Sequence, residues 1–342
     1  MKKLLVALLK VSISAAILVW LGLEAHRNAV FSDLVWQPKN WGLLASATGV
    51  CFLAVLITFV RWYWLVRALD LPFRLRDAIR VGFLGYLFNL APLGIVGGDL
   101  LKAIVLARRH PERRPEAVAT VVVDRVIGLY VLFLVAAAAV LLTGLWQSPI
   151  EKVRLVCRLT WILAAVGTVA VVLPLFPGVT GGTVSGLLGR IPYAGGVLQR
   201  LLDAVRMYRR RFGVLVLSAL MTVPVHCLFA LGVYLIAAGL YDPVLPLEVH
   251  LLVVPLSAAT AVLPINVGPL ELVLDQLYVA IPLPEGGSMV GGQGLVVALG
   301  YRLITVLIAG VGMIYYFGSR REVAEAMHSA EPGEAEAGVA GG

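Results

Sequence analysis

Six runs of apolar residues, 4–23, 41–60, 117–143, 159–176, 212–238 and 289–317, are each long enough to cross a bilayer as a single helix. About 17–25 residues rising 1.5 Å each cover the ~30 Å of hydrocarbon. Mean hydropathy is +0.92, and only 14% of the 342 residues are charged, against about 25% in soluble domains. No water-soluble fold of this length hides that much apolar surface, so the excess faces lipid. The net charge of +8 sits in loops between apolar runs. The positive-inside rule accounts for it better than nucleic-acid binding, which would need a basic face interleaved with aromatics. Cys51, Cys157 and Cys227 fall in three separate runs, and the histidines are scattered. Neither a disulfide framework nor a metal or cofactor site is expected. The run after Met1-Lys2-Lys3 is long for a signal peptide and is expected to stay as the first span.

Two further apolar regions, 79–107 and 249–283, are interrupted. The first contains Leu90-Ala91-Pro92-Leu93-Gly94-Ile95-Val96-Gly97-Gly98-Asp99, the second Leu263-Pro264-Ile265-Asn266-Val267-Gly268-Pro269-Leu270-Glu271. Pro and clustered Gly do not propagate a helix. The half-helices expected at 249–263 and 270–281 are too short to span. Basic residues flank the first region on both sides, Arg74, Arg76 and Arg80 before it and Arg108, Arg109, Arg113 and Arg114 after it. A hairpin that enters and returns keeps both clusters on one face.

With both regions as re-entrant hairpins and the N-terminus inside, nineteen Lys and Arg lie on the cytoplasmic side and five outside. The expected fold is six transmembrane helices plus two re-entrant broken-helix hairpins, with both termini cytoplasmic. The integral membrane domain covers 1–318, and 319–342 is a disordered tail. The halves 1–144 and 154–318 then run in opposite orientations and form an inverted repeat. Pro92-x-Gly94 answers Pro264-x-Asn266, Gly97-Gly98 answers Gly268-Pro269, and Asp99 answers Glu271. Broken helices in inverted repeats are a transporter plan. The basic stretch 190–211, with Leu198, Leu201, Leu202 and Val205 on one stripe, fits either an interfacial helix or a plain cytoplasmic loop.

An ionisable side chain within hydrocarbon costs about 2.5–3.5 kcal/mol on insertion scales and marks a partner or a function. Asp99, Lys102, Asp124, Arg125, Glu271 and Arg302 meet that description. Asp124 and Arg125 are helix neighbours about 100° apart, so each needs a partner on another element. Asp99 and Glu271 are the candidates for Arg125. Arg302 sits mid-span and faces the protein interior, where a guanidinium can hold a phosphate in two-point fashion or stand in a structural ion pair. Lys102 pairs with Asp99 or adds a phosphate contact. Gly94, Gly97, Gly98 and Gly268 expose N–H groups at half-helix starts, a setting that attracts anions. Lys10, Arg61 and Arg67 are expected to snorkel, with Trp62 and Trp64 as interface anchors.

Arg61-Trp62-Tyr63-Trp64, Pro92-x-Gly-x-x-Gly-Gly-Asp-x-x-Lys102, Val123-Asp124-Arg125-Val126-Ile127-Gly128, Pro264-x-x-x-Gly268-x-x-Glu271 and Arg302 together resemble the lysylphosphatidylglycerol synthase transmembrane region, or flippase-like, family. The resemblance covers most of 1–318. It departs at Lys102, where relatives often carry Arg, and at the late break, where they are richer in Gly. Relatives that are full synthases carry a soluble aminoacyltransferase domain after the membrane part, whereas 24 residues follow Gly318 here. The resemblance thus implies the translocating part: a plasma-membrane flippase for a phospholipid or polyprenyl-phosphate headgroup, with a separate soluble synthase as a conceivable partner. A lipid-carrier transferase using Asp124 or Asp99 as base, and a non-catalytic recruiter of such a synthase, are the alternatives.

Overall fold

Tertiary structure was analysed in a computed structural model describing residues 2–90, 97–175, 203–204, 206–263, 265 and 267–318, with 2–9, 11 and 175 described by backbone only. The basic stretch up to residue 202, Val205, the tail 319–342, and Pro92, Gly94, Pro264 and Asn266 of the two breaks lie outside the described residues.

Among the described residues there are eleven α-helices and no β-strand. They are α1 (Lys2–Arg27), α2 (Val30–Trp36), α3 (Trp41–Ala68), α4 (Leu75–Leu90), α5 (Gly98–Arg109) and α6 (Arg114–Thr143). Then come α7 (Glu151–Val172), α8 (Phe212–Leu240), α9 (Leu247–Ala259), α10 (Pro269–Ala280) and α11 (Gln293–Gly318). Among the described residues, five stretches are long and apolar enough to cross a membrane: Trp41–Ala68, Pro111–Thr143, Glu151–Val172, Arg206–Leu240 and Gln293–Gly318. The remaining apolar run, 4–23, lies within α1, itself 26 residues long. The chain is an all-α, multi-pass membrane protein. Large apolar side chains such as Leu142, Ile162, Leu220, Leu303 and Ile314 point outward, the pattern of a surface wetted by lipid.

Both interrupted regions fold as helix–break–helix. The first gives α4 and α5; the second gives α9, a 3₁₀ turn at Thr260–Val262, and α10. α4 and α5 meet backbone to backbone: a Cβ on Gly98 would stand 1.7 Å from the Gly85 carbonyl oxygen. The Asn89 side chain accepts the Gly98 N–H at 2.8 Å, which supplies an acceptor for one orphan donor at the start of α5. Asp77 and Arg109 close the open end of this hairpin at 3.2 Å. In the second hairpin Gly268 has φ +109°, a conformation open to glycine and strained for other residues.

The chain divides into two compact units. Unit one holds 1–55, 128–169 and 222–305; unit two holds 56–127, 170–221 and 306–342. Each contains one hairpin. In unit one, α3 and α8 approach so closely that a Cβ on Gly232 would stand 2.4 Å from the Cys51 sulfur, the small-residue packing typical of membrane helices. Cys51, Cys157 and Cys227 are all free thiols. In unit two, the Tyr208 hydroxyl donates to the Leu65 carbonyl at 2.8 Å and Arg211 pairs with Asp70 at 2.8 Å, docking the described end of the basic stretch onto the end of α3.

Candidate functional site

Unit two gathers Asp99, Lys102, Asp124 and Arg125. Asp99 is in the first turn of α5, where a carboxylate is favoured by the helix dipole, and it pairs with Arg125 of α6. Lys102 lies one turn along α5, its ammonium 3.9 Å from Asp99, 5.5 Å from the Trp62 ring and 6.0 Å from the Phe59 ring. Its stem runs past Gly85, where a Cβ would come within 3.0 Å of Lys102. The lysine is thus seated in an aromatic pocket that stabilises its charge by cation–π attraction.

Asp124 turns away from Arg125, as the 100° offset requires, and accepts a hydrogen bond from Arg61 Nε at 2.9 Å. Both are almost fully buried. This corrects the expectation that Arg61 snorkels. The α3 helix runs on to Ala68, so Arg61 is an interior residue of a longer helix rather than its boundary. Trp62, expected as an interface anchor, is likewise buried and donates its indole N–H to Thr120 at 3.3 Å. Arg67 and Trp64 are exposed. Thr120 and Asp124 are four apart on α6, so one face of α6 receives two consecutive residues of α3.

Unit one holds the second group. Glu271, in the first turn of α10, is fully buried. One carboxylate oxygen accepts the Gly268 N–H at 2.8 Å; the other accepts Arg302 Nε of α11 at 2.6 Å. The arrangement repeats that of unit two: an acid at the start of the second half-helix pairs with an arginine on the next long helix. The described N–H groups of Gly98 and Gly268 are given to Asn89 and Glu271. An anion would have to displace those acceptors to reach them, while Gly94 lies outside the described residues.

Reading the sequence missed three residues. Arg61 stood one residue past an apolar run and passed for a boundary charge. Asn89 and Asp275 carried local signals: an amide nine residues before a helix start, and an acid four residues after Glu271 on one helix face. Asp275 is fully buried and caps α11 from a neighbouring helix, accepting N–H groups from Gly292 at 2.9 Å and Leu295 at 3.1 Å.

Long apolar helices whose arginines are matched by carboxylates, Arg61 by Asp124, Arg125 by Asp99 and Arg302 by Glu271, define an integral membrane protein with ion pairs set between its helices. Residues 7–312 match the Lysylphosphatidylglycerol synthase TM region family, and the chain belongs to that family. No curated protein and no solved structure matches the chain.

Proposed function

We propose that this protein is a lipid flippase, moving a phospholipid or polyprenyl-phosphate-linked headgroup across the plasma membrane. The observation that carries the reading is the repeated ion pair, Asp99–Arg125 and Glu271–Arg302, each seated at the start of a broken helix. An arginine buried in a membrane needs a counter-charge at all times. A carboxylate supplies it at rest, and a lipid phosphate can replace it, since a guanidinium binds both in the same fork geometry. A headgroup that also carries an amine satisfies the displaced carboxylate in the same exchange. Arg125 and Lys102 would take the phosphate and Asp99 the cationic group, with Asp124 held in place by Arg61. Arg302 and Glu271 would be the equivalent pair of the other repeat half.

The proposed topology is six spans and two re-entrant hairpins with cytoplasmic termini, the halves 1–144 and 154–318 being inverted copies. The matching order of helix, break and acid–arginine pair in the two halves supports it. Alternating access would follow from rocking of the halves.

A vesicle assay tests the proposal. Purified protein is reconstituted with fluorescent anionic or aminoacylated phospholipid, and movement is read by quenching of the outer leaflet. Wild-type protein should accelerate exchange, and Arg125→Ala should slow it by about tenfold, the loss of one charge-assisted contact. Exchange equal in protein-free vesicles, or unchanged in Arg125→Ala and Arg302→Ala, overturns the proposal.

A further inference from the structure

Unit one contains a second polar cluster that the lipid site does not use. Asp275 lies on α10 one turn beyond Glu271. Its Oδ1 is committed to the N–H groups of Gly292 and Leu295, while its Oδ2 is buried and has no hydrogen-bond partner. On α1, Glu24 also has a buried, unpartnered oxygen, Oε2, and its charge acts directly on Asp275. Tyr241, just after α8, has a buried hydroxyl without a partner and is acted on by the charge of Asp275. Glycines set this spacing. A Cβ at Gly291 would stand 2.4 Å from the Glu24 carboxylate, and one at Gly294 would stand 2.4 Å from the Asp275 Cα. Asn28, just after α1, fastens the same turn by donating to the Gly291 carbonyl at 2.8 Å.

Further titratable groups lie on the neighbouring helices. Asp33 of α2 acts on Tyr241. His250 of α9 is hydrogen-bonded to the Tyr278 hydroxyl at 2.7 Å. Glu271 is taken by Arg302. Two carboxylates near one another in a low-dielectric interior do not both ionise cheaply, and one proton relieves the repulsion. Among the described residues no three acidic, imidazole or thiol groups are disposed to hold a metal ion.

We infer that Asp275, with Glu24 and Tyr241 around it, is a proton-binding site whose proton resides on Oδ2. Binding forms one O–H bond and takes the carboxylate pair from two negative charges to one; release returns the proton to water. The site bears on transport because Asp275 and Glu271 tie the same two helices together. Asp275 holds the first turn of α11, and Glu271 holds Arg302 two turns further along it. Proton occupancy at Asp275 therefore sets how firmly α11 is held beside the second ion pair. This coupling rests on the flippase reading; the proton site itself does not.

Infrared difference spectroscopy on the full-length protein in lipid nanodiscs separates the two. A protonated-carboxyl C=O band should titrate with pH, disappear in Asp275→Asn, and move its midpoint by about one pH unit to lower pH in Glu24→Gln, where a like charge is gone. Asn keeps an oxygen for the Gly292 and Leu295 N–H groups, and an unchanged unfolding temperature verifies that the variant folds. A titrating band that survives in Asp275→Asn, or no titrating band at all, overturns the proton site. Lipid exchange in vesicles is then measured with and without a pH gradient. Stimulation by the gradient in wild type and its loss in Asp275→Asn supports coupling. Exchange that ignores the gradient, or follows sodium instead, overturns coupling and leaves the flippase reading standing. An intact band with no exchange under any condition counts against the flippase reading alone.

Discussion

The two hairpins are held together by different means. In the first, α4 and α5 touch through the bare backbone at Gly85 and Gly98, and a neutral amide, Asn89, closes the helix start. Its acid is left with room to act: the side chains of Asp99 and Arg125 are 32% and 57% exposed. In the second, the carboxylates do the fastening. Glu271 has no exposed surface and both oxygens committed, and Asp275 caps the helix that follows. Apart from the Asp77–Arg109 pair at its open end, the first hairpin is closed by backbone contact and leaves its acid–arginine pair accessible, whereas the second commits its carboxylates to its own structure. In the proposed cycle the more exposed first pair would be the first to meet an anionic headgroup, and the buried second pair, equivalent in layout, would also serve as a clamp.

The largest expected effect lies in the clamp. Glu271→Ala leaves Arg302 without its carboxylate and the Gly268 N–H without an acceptor, and should cost about 3–5 kcal/mol, seen as a large fall in the unfolding temperature of detergent-solubilised protein. A cost below about 1 kcal/mol would erase the contrast. Gly98→Ala should come next, at about 1–3 kcal/mol, because the new methyl meets backbone rather than a side chain that can swing aside. Trp62→Phe removes the hydrogen bond to Thr120 beneath Lys102 and should cost about 1 kcal/mol, read in the same unfolding assay. Asp99→Asn should be the mildest for stability, about 0–1 kcal/mol for a half-open pair. Yet it should slow lipid exchange several-fold, and that separation of stability from transport would sharpen the comparison most.

The breaks themselves were legible in the sequence because Pro and Gly have few ways to continue a helix. The half-helices expected at 249–263 and 270–281 fall within a few residues of α9 with its 3₁₀ turn and α10. Asp99, Glu271, Arg125 and Arg302 were legible for an equally simple reason, the cost of a charge in an apolar run. What one dimension withheld was partnership. Arg125 had two candidate acids, and only the folded chain assigns it Asp99. Arg61 was misjudged because hydropathy falls at residue 61 while the helix does not end there. Asp275 escaped notice since its role, capping a helix seventeen residues later, depends on Gly291, Gly292 and Gly294 allowing three segments to meet.

The Gly85–Gly98 contact also bears on how the protein enters the membrane. A helix of 16 residues and one of 12 extend about 24 Å and 18 Å, each short of the hydrocarbon thickness. In the proposed re-entrant reading neither helix is a stable passenger alone, because its broken end would meet lipid with backbone groups unsatisfied. In that reading the pair would leave the insertion machinery together, zipped along its glycine seam. The timing of membrane insertion would then be encoded in two residues that have no side chains.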